Sequence, residues 1–253
     1  WRNTIGFISD NYIKPNGVPD GAGNFWYYTD EAVAQQPFAM RIKRLYYDPA
    51  GALSSPWRVG APTDAGNPAH DGTRAMFNDG AGLIVYIGHS SQNRIGDLDY
   101  PSIYDNYFLY GSDAAGLTNG GTLPILISMS CLTGAFHYTY DSDGVRVERS
   151  FDEWMVMSAN GAIATWGSTG LGVAYGHEAL MKGFFSALWR STSPDKPIGR
   201  LTMAGYLTLF AQGTGIGSES IQTYVVLGDP LTRARLHTGS TLRPDEARTV
   251  YLP

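Results

Sequence analysis

The chain has 253 residues, 43% of them hydrophobic and 16% charged, a composition that lets a soluble globular protein bury a large core. Its 18 Lys and Arg residues against 23 Asp and Glu residues give a net charge of -5 without a basic block, which argues against nucleic acid as a partner. No apolar run approaches the roughly 18 residues that cross a membrane, so we expect no transmembrane segment.

The chain opens at Trp1 without a charged-then-apolar leader, and it is rich in Gly and Tyr but poor in Lys. We therefore expect a processed N-terminus and a secreted or cell-surface protein. The single cysteine, Cys131, excludes an internal disulfide. In a secreted chain, such a leftover thiol indicates a reactive or intermolecular cysteine.

Short apolar runs bounded by Gly, Asp and Ser alternate with amphipathic stretches, which is the pattern of a sheet covered by helices. The predicted strands are Thr4 to Ser9, Arg41 to Tyr47, Leu83 to Ile87, Pro124 to Ser130 and Ala162 to Trp166. The predicted helices are Asp30 to Gln36, His70 to Phe77, Phe151 to Ala159, Glu178 to Arg190 and Gly199 to Ala211. The runs Leu83 to Ile87 and Ile125 to Ile127 do not alternate with polar residues, which predicts two central parallel strands. The sequence therefore favours one α/β domain.

Two of the predicted strands end in residues that can carry chemistry. His89 follows the strand at Leu83 to Ile87, and Cys131 follows the strand at Pro124 to Ser130. If both strands are central and parallel, the two side chains project from the same edge of the sheet. A neighbouring imidazole favours a thiolate, and backbone N–H groups of Ser90 and Cys131 are candidates to bind an oxyanion.

The segments around these residues resemble the gingipain-type cysteine peptidases, which belong to the caspase-like fold group. The matching pieces are Ile5 to Asp10, Tyr86 to His89, Met129 to Cys131, Gly161 to Ala164 with Gly167 to Gly170, and Tyr224 to Pro230. The resemblance runs in consistent order over roughly residues 4 to 231. It implies a three-layer caspase-like fold, with a mostly parallel central sheet and helices on both faces.

By the same resemblance, the chain is expected to be a secreted cysteine endopeptidase with Cys131 as nucleophile and His89 as general base and then acid. A carboxylate from an earlier loop is expected to orient the imidazole, and Asp30 or Glu31 lies at a suitable distance upstream. A preference for Arg or Lys before the scissile bond is also implied. The segment after the fifth strand is implied to wall that pocket, with Trp166, Ser168, Thr169, Tyr175 and His177 as candidate substrate-binding residues.

Ser90 stands where the family usually has Gly, and it keeps two alternatives open. Gly88 to Gln92 follows a strand as a nucleophile elbow would, which would make the chain a serine hydrolase using Ser90; the second glycine of that motif is replaced by Gln92. Alternatively, the chain is a catalytically weak or inactive peptidase-fold module for binding or assembly within a larger secreted protein.

The expected partner is a peptide or protein substrate, and no organic cofactor is implied. The resemblance implies calcium as a structural ion, and two acidic stretches, Asp97 to Asp99 and Asp141 to Gly144, are candidates that do not fit EF-hand spacing. We expect a peptidase domain over residues 1–235 and an exit segment over residues 236–253. That segment would lead to a further module of a longer precursor.

Overall fold

The computed structural model describes residues 1–96, 107–137, 140, 149–172, 174–190, 196–213 and 218–236, apart from the side chain of Tyr175. Its strands are β1 (Thr4–Ser9), β2 (Arg41–Tyr47), β3 (Arg58–Val59), β4 (Leu83–Ile87), β5 (Ser90–Ser91), β6 (Arg94–Ile95), β7 (Leu109–Tyr110), β8 (Ile125–Met129), β9 (Ala164–Ser168) and β10 (Tyr224–Leu227). Its α-helices are α1 (Phe25–Ala34), α2 (Pro68–Asn78), α3 (Phe151–Met157), α4 (Ala174–Arg190), α5 (Ile198–Ala211) and α6 (Ser220–Thr223).

The central sheet has the strand order β10-β9-β8-β4-β1-β2-β3. Its strands pair in parallel, except that β10 lies antiparallel to β9 at one edge. Every residue of β4 and of β8 is buried, which confirms the central position predicted from their continuous apolar runs. The short strands β5, β6 and β7 form a separate antiparallel sheet.

Helices cover both faces of the central sheet. On one face, Val85 and Ile127 belong to a buried cluster that includes residues of α1, α4 and α5. On the other face, Ile84 and Leu126 pack with residues of α2 and α3. Neighbouring residues of one strand point to opposite faces, so the two clusters together give the predicted three-layer arrangement.

Several element boundaries differ from the prediction, and three of them bear on the candidate site. Helix α1 begins at Phe25 because the Asn24 side chain caps it by accepting the N–H of Tyr27. Helix α4 begins at Ala174 rather than at Glu178. Strand β9 begins two residues late, because Gly161 has a φ of 104° and the N–H of Ala162 still bonds the carbonyl of Met155.

A capping box begins helix α3: the Ser150 side chain accepts the N–H of Glu153, and the Glu153 side chain accepts the N–H of Ser150. Among the described helices, none combines the length and apolar character that a bilayer crossing requires.

Candidate active site

The register of β4 and β8 places His89 beside Cys131. Ile87 pairs with Met129 at the ends of the two parallel strands, and the N–H of Gly88 donates to the carbonyl of Met129 at 3.3 Å. His89 lies two residues beyond Ile87, and Cys131 lies two residues beyond Met129. Both residues are therefore at the same height along the two strands, at the carboxyl edge of the sheet. The structure thus places both residues at the carboxyl ends of two neighbouring parallel strands.

The Cys131 thiol lies under the connection between β9 and α4. Its Sγ accepts the N–H of Gly172 at 3.4 Å and lies 3.6 Å from the carbonyl oxygen of Gly172. Burial raises the pKa of the Cys131 thiol, and the Gly172 N–H offsets only part of that shift. The sulfur therefore rests in the protonated form at neutral pH.

The imidazole of His89 is held by a carboxylate and an aromatic ring. Its Nε2 lies 3.1 Å from Oδ2 of Asp20, and its ring meets the Phe25 ring edge-on at 5.2 Å between centroids. Burial disfavours the charge on Asp20, but the N–H of Ala22 and the imidazole outweigh it, and the pKa of Asp20 lies below its usual value. Lys14 approaches the same carboxylate at 3.4 Å.

With this geometry, the comparison with known proteins decides the family. The model of peptidase family C25 matches residues 1–235. The chain belongs to peptidase family C25.

Solved structures agree with this C25 assignment at the level of fold. The Arg-specific cysteine proteinase gingipain R (RgpB) has a TM-score of 0.67 and 17% identity, covering 91% of this chain and 47% of that chain. The complex of Porphyromonas gingivalis RgpB pro- and mature domains has a TM-score of 0.65 and 18% identity, covering 90% of this chain and 48% of that chain. These matches establish the predicted caspase-like fold.

The C25 chain spans about half the length of the solved chains it matches. No curated protein matches its sequence.

The prediction that Asp30 or Glu31 orients the imidazole of His89 in this C25 chain was wrong. Asp30 lies on the second turn of α1, where it accepts hydrogen bonds from Tyr46 at 2.6 Å and Arg44 at 2.9 Å. Glu31 faces the groove between α1 and α4. Since α1 begins at Phe25, neither side chain belongs to the loop that reaches His89, and Asp20 in that loop takes the position instead.

The turn after Cys131 in this C25 domain is anchored on two sides. Leu132 has a φ of 60°, in the left-handed region, and its N–H donates to the carbonyl of Gly170 at 3.0 Å. Thr133 donates its hydroxyl to Oδ2 of Asp152 at 3.3 Å and accepts the N–H of Asp152 through its carbonyl. A left-handed leucine at this point is a strained backbone beside the candidate nucleophile.

Two residues predicted to wall a substrate pocket are buried instead. Trp166 lies inside β9, stacks on Phe184 at 5.6 Å and is fully buried, because the strand continues two residues beyond the predicted end. His177 lies in the first turns of α4, packs on Tyr224 and is 2% exposed. Burial lowers the pKa of His177 to about 4, so its ring is neutral at pH 7.

The other three residues predicted to bind substrate, Ser168, Thr169 and Tyr175, differ in their surroundings. Ser168 is also buried and donates its hydroxyl to the carbonyl of Gly170, so it shapes the loop rather than its surface. Thr169 is half-buried, and its N–H and hydroxyl both donate to the carbonyl of Thr223. The side chain of Tyr175 lies outside the described part of the chain.

The nucleophile-elbow interpretation of Ser90 was wrong. The chain after His89 forms the hairpin of β5 and β6 instead of the helix that an elbow requires. The Ser90 hydroxyl donates to the carbonyl oxygen of Cys131 and thereby joins the two strand ends. The N–H groups of Ser90 and Cys131 remain candidate oxyanion donors.

Neither acidic stretch considered for calcium, Asp97 to Asp99 or Asp141 to Gly144, lies within the described residues. Across the parts of the C25 chain that the structure does describe, no group of three His, Cys, Asp or Glu side chains is placed to hold a metal ion.

Proposed function

We propose that this C25 chain is a cysteine endopeptidase in which Cys131 is the nucleophile and His89 transfers the proton. The observation that carries the proposal is the shared register of β4 and β8, which brings the chain's single thiol and an imidazole to one edge of the sheet. The carboxylate of Asp20 next to that imidazole supports the same assignment.

Asp20 sets the direction of proton transfer. An N–H at Nε2 of His89 that donates to Asp20 leaves Nδ1 as the acceptor for the thiol proton. The thiolate then attacks the scissile carbonyl, the N–H groups of Ser90 and Cys131 stabilise the oxyanion, and the protonated His89 delivers its proton to the leaving amine. Water hydrolyses the resulting thioester at Cys131 and restores both groups.

The neutral resting thiol makes the base essential. Because burial under Gly172 raises the pKa of Cys131, attack requires transfer of the thiol proton to His89 as the substrate binds. The same observation favours a second candidate function, in which the chain is a catalytically weak or inactive module for binding or assembly. The two functions differ in the reactivity of Cys131.

A mixed peptide library distinguishes these functions. We expect the chain to cleave peptides and the Cys131→Ala variant to lose this activity, whereas Ser90→Ala, which keeps the thiol, retains cleavage. The chain should also react with a peptidyl acyloxymethyl ketone at Cys131. Cleavage that survives in Cys131→Ala would refute the proposal, and absence of both cleavage and labelling would favour the binding module.

A preference for Arg or Lys before the scissile bond is a further part of the proposal. It is supported by the Arg specificity named for gingipain R, the solved structure of similar fold. Asp20 already pairs with Lys14 and His89, so it does not supply the negative charge of such a pocket. Equal cleavage after Arg and after apolar residues in the same library would refute the proposed preference for Arg or Lys.

We also propose that the protein is secreted or displayed at the cell surface, that it is made as a longer precursor, and that calcium is a structural ion. The complex of pro- and mature domains of RgpB supports the precursor, since that protein is similar in fold. The calcium proposal predicts that a chelator lowers the melting temperature and that added calcium restores it.

A further inference from the structure

Two buried side chains hold the main chain of His89. Asp10, which directly follows β1, is fully buried and accepts the N–H of His89 at 3.0 Å through Oδ2 and the N–H of Asn11 at 2.9 Å through Oδ1. Tyr86, inside β4, is also fully buried and donates its hydroxyl to the carbonyl oxygen of His89. Both polar groups of the His89 backbone therefore have a fixed partner beneath the site.

Asp10 and Tyr86 both pack directly against Gly88, the residue that precedes His89. A Cβ atom at Gly88 would lie 2.3 Å from Cβ of Asp10 and 2.5 Å from the hydroxyl oxygen of Tyr86. Real Cβ atoms do not approach other atoms this closely, so glycine is required here. Its absence of a side chain lets Asp10 and Tyr86 close on the peptide that leads into His89.

Asp10 and Tyr86 also contact each other through the Tyr86 hydroxyl. The Tyr86 oxygen lies 3.2 Å from Oδ2 of Asp10 and also bonds the carbonyl of His89, which can only accept. A phenol has one hydrogen, so the Tyr86 hydroxyl donates it either to the carbonyl oxygen of His89 or to Oδ2 of Asp10. Burial raises the pKa of Asp10 to about 6, although the nearby His89 opposes the shift, and both protonation states are therefore accessible.

We propose that Asp10 and Tyr86 are positioning residues for the proposed peptidase reaction, in which they fix the backbone of His89 and thereby the place of its imidazole. This inference rests on the function proposed above. Asp20 contacts the imidazole ring, whereas Asp10 and Tyr86 hold the backbone of His89. Both are fully buried and do not touch substrate, so their loss affects the chemical step more than binding.

Tyr86→Phe tests the hydroxyl with the least disturbance, because the ring still packs on Phe108 at 5.5 Å. Tyr47→Phe is the matched control: Tyr47 packs on the same Phe108 ring at 5.9 Å from β2, which lies two strands from β4. We expect Tyr86→Phe to lower kcat about 10- to 100-fold with KM within about threefold, since small misplacements of catalytic groups carry such losses. Tyr47→Phe should leave both constants within about twofold.

Asp10→Asn tests the carboxylate. Both oxygens of Asp10 accept a backbone N–H, so an amide presents its NH2 to one of them and loses that bond in either orientation. Asp48→Asn is the matched control, because Asp48 is equally buried and its two oxygens accept the N–H groups of Ala52 and Leu53. Both variants should lose stability, but only Asp10→Asn should lower kcat as Tyr86→Phe does.

The NMR signal of the His89 ring gives a readout that needs no turnover. We expect Tyr86→Phe to shift that signal and Tyr47→Phe to leave it in place. Unchanged kcat together with an unchanged ring signal in Tyr86→Phe would overturn the inference. If the wild-type chain does not cleave peptides, the proposed function fails, and the shift or constancy of the ring signal alone decides whether Tyr86 positions His89.

Discussion

At the scale of single residues, Asp20 is the side chain whose role is most sharply defined by a contact. Its carboxylate approaches Nε2 of His89, whereas Asp30 bonds Tyr46 and Arg44. We expect Asp20→Asn to lower kcat/KM about 100-fold or more, because the amide cannot stabilise an imidazolium by charge. Asp30→Asn, the matched control, should stay within about threefold. Equal losses in the two variants would contradict the assignment of Asp20.

Leu132 offers a second test at this scale. Its φ of 60° is unfavourable for a residue with a Cβ atom and costs on the order of 1 kcal/mol, which glycine does not incur. We expect Leu132→Gly to have a free energy of unfolding about 1 kcal/mol higher than Leu132→Ala, which loses the same side chain but keeps the strain. Urea denaturation of both variants measures the difference. A more stable alanine variant would show that the turn is not strained.

At the scale of elements, the connection between β9 and α4 covers the thiol. A Cβ atom on Gly172 would lie 2.6 Å from Nε2 of His177, so Gly172→Ala should push the connection away from its helix and from Cys131. Exposure lowers the pKa of a buried thiol, and each unit of decrease raises the thiolate fraction about tenfold. We therefore expect faster alkylation of Cys131 by iodoacetamide at pH 7.

Gly121→Ala is the control for this prediction, because a Cβ atom there would meet no atom within 4 Å. Alkylation that is equally fast in wild type and Gly172→Ala would mean that the connection does not shield the sulfur.

The sequence predicted the elements that carry the site better than the loops that complete it. Strands β1, β2 and β4 have the predicted bounds, and β4 is apolar throughout, because a parallel strand that is buried on both faces is apolar on both. The early starts of α1 and α4 were missed, and this error moved Asp30 and His177 to positions they do not hold.

Asp20 could have been found from the sequence by the argument that found His89. It lies in the loop after β1, and β1 pairs in parallel with β4, so that loop starts at the same edge of the sheet. By contrast, the contact of Gly172 with Cys131 depends on how a connection folds back over the edge. No periodicity in the chain encodes such a contact.

At the scale of the whole molecule, buried carboxyl groups make stability depend on pH. Burial raises the pKa of Asp152 from 3.8 to about 7. The folded state then binds more protons than the unfolded state between these values, so the contribution of Asp152 to stability falls as pH rises from about 4 to 7 and is constant above. A shift of this size corresponds to at most about 4 kcal/mol.

Asp152→Asn should therefore be more stable than wild type by an amount that grows from pH 4 to 7 and then levels off. The amide oxygen can still accept the Thr133 hydroxyl. Thermal melts of both proteins across this range measure the difference. Asp113→Asn should instead be less stable than wild type above about pH 4, by an amount that shrinks as the pH falls below 4, since hydrogen bonds from His70 and the Tyr110 N–H outweigh burial and lower the pKa of Asp113. Melting curves of Asp152→Asn and wild type that differ by a constant amount would contradict this account.

The connection between β9 and α4, which covers Cys131, affects how readily the thiol is oxidised. These 253 residues contain one cysteine, so a sulfenic acid at this position has no second thiol among them with which to form a disulfide. Further oxidation to the sulfinic acid would irreversibly remove the thiol that the proposed function requires. Peroxides react with thiolates, and the Gly172 peptide and the raised pKa keep the sulfur as a shielded thiol until it is needed. The contact that lowers the reactivity of the resting Cys131 thiol therefore also protects it from oxidation.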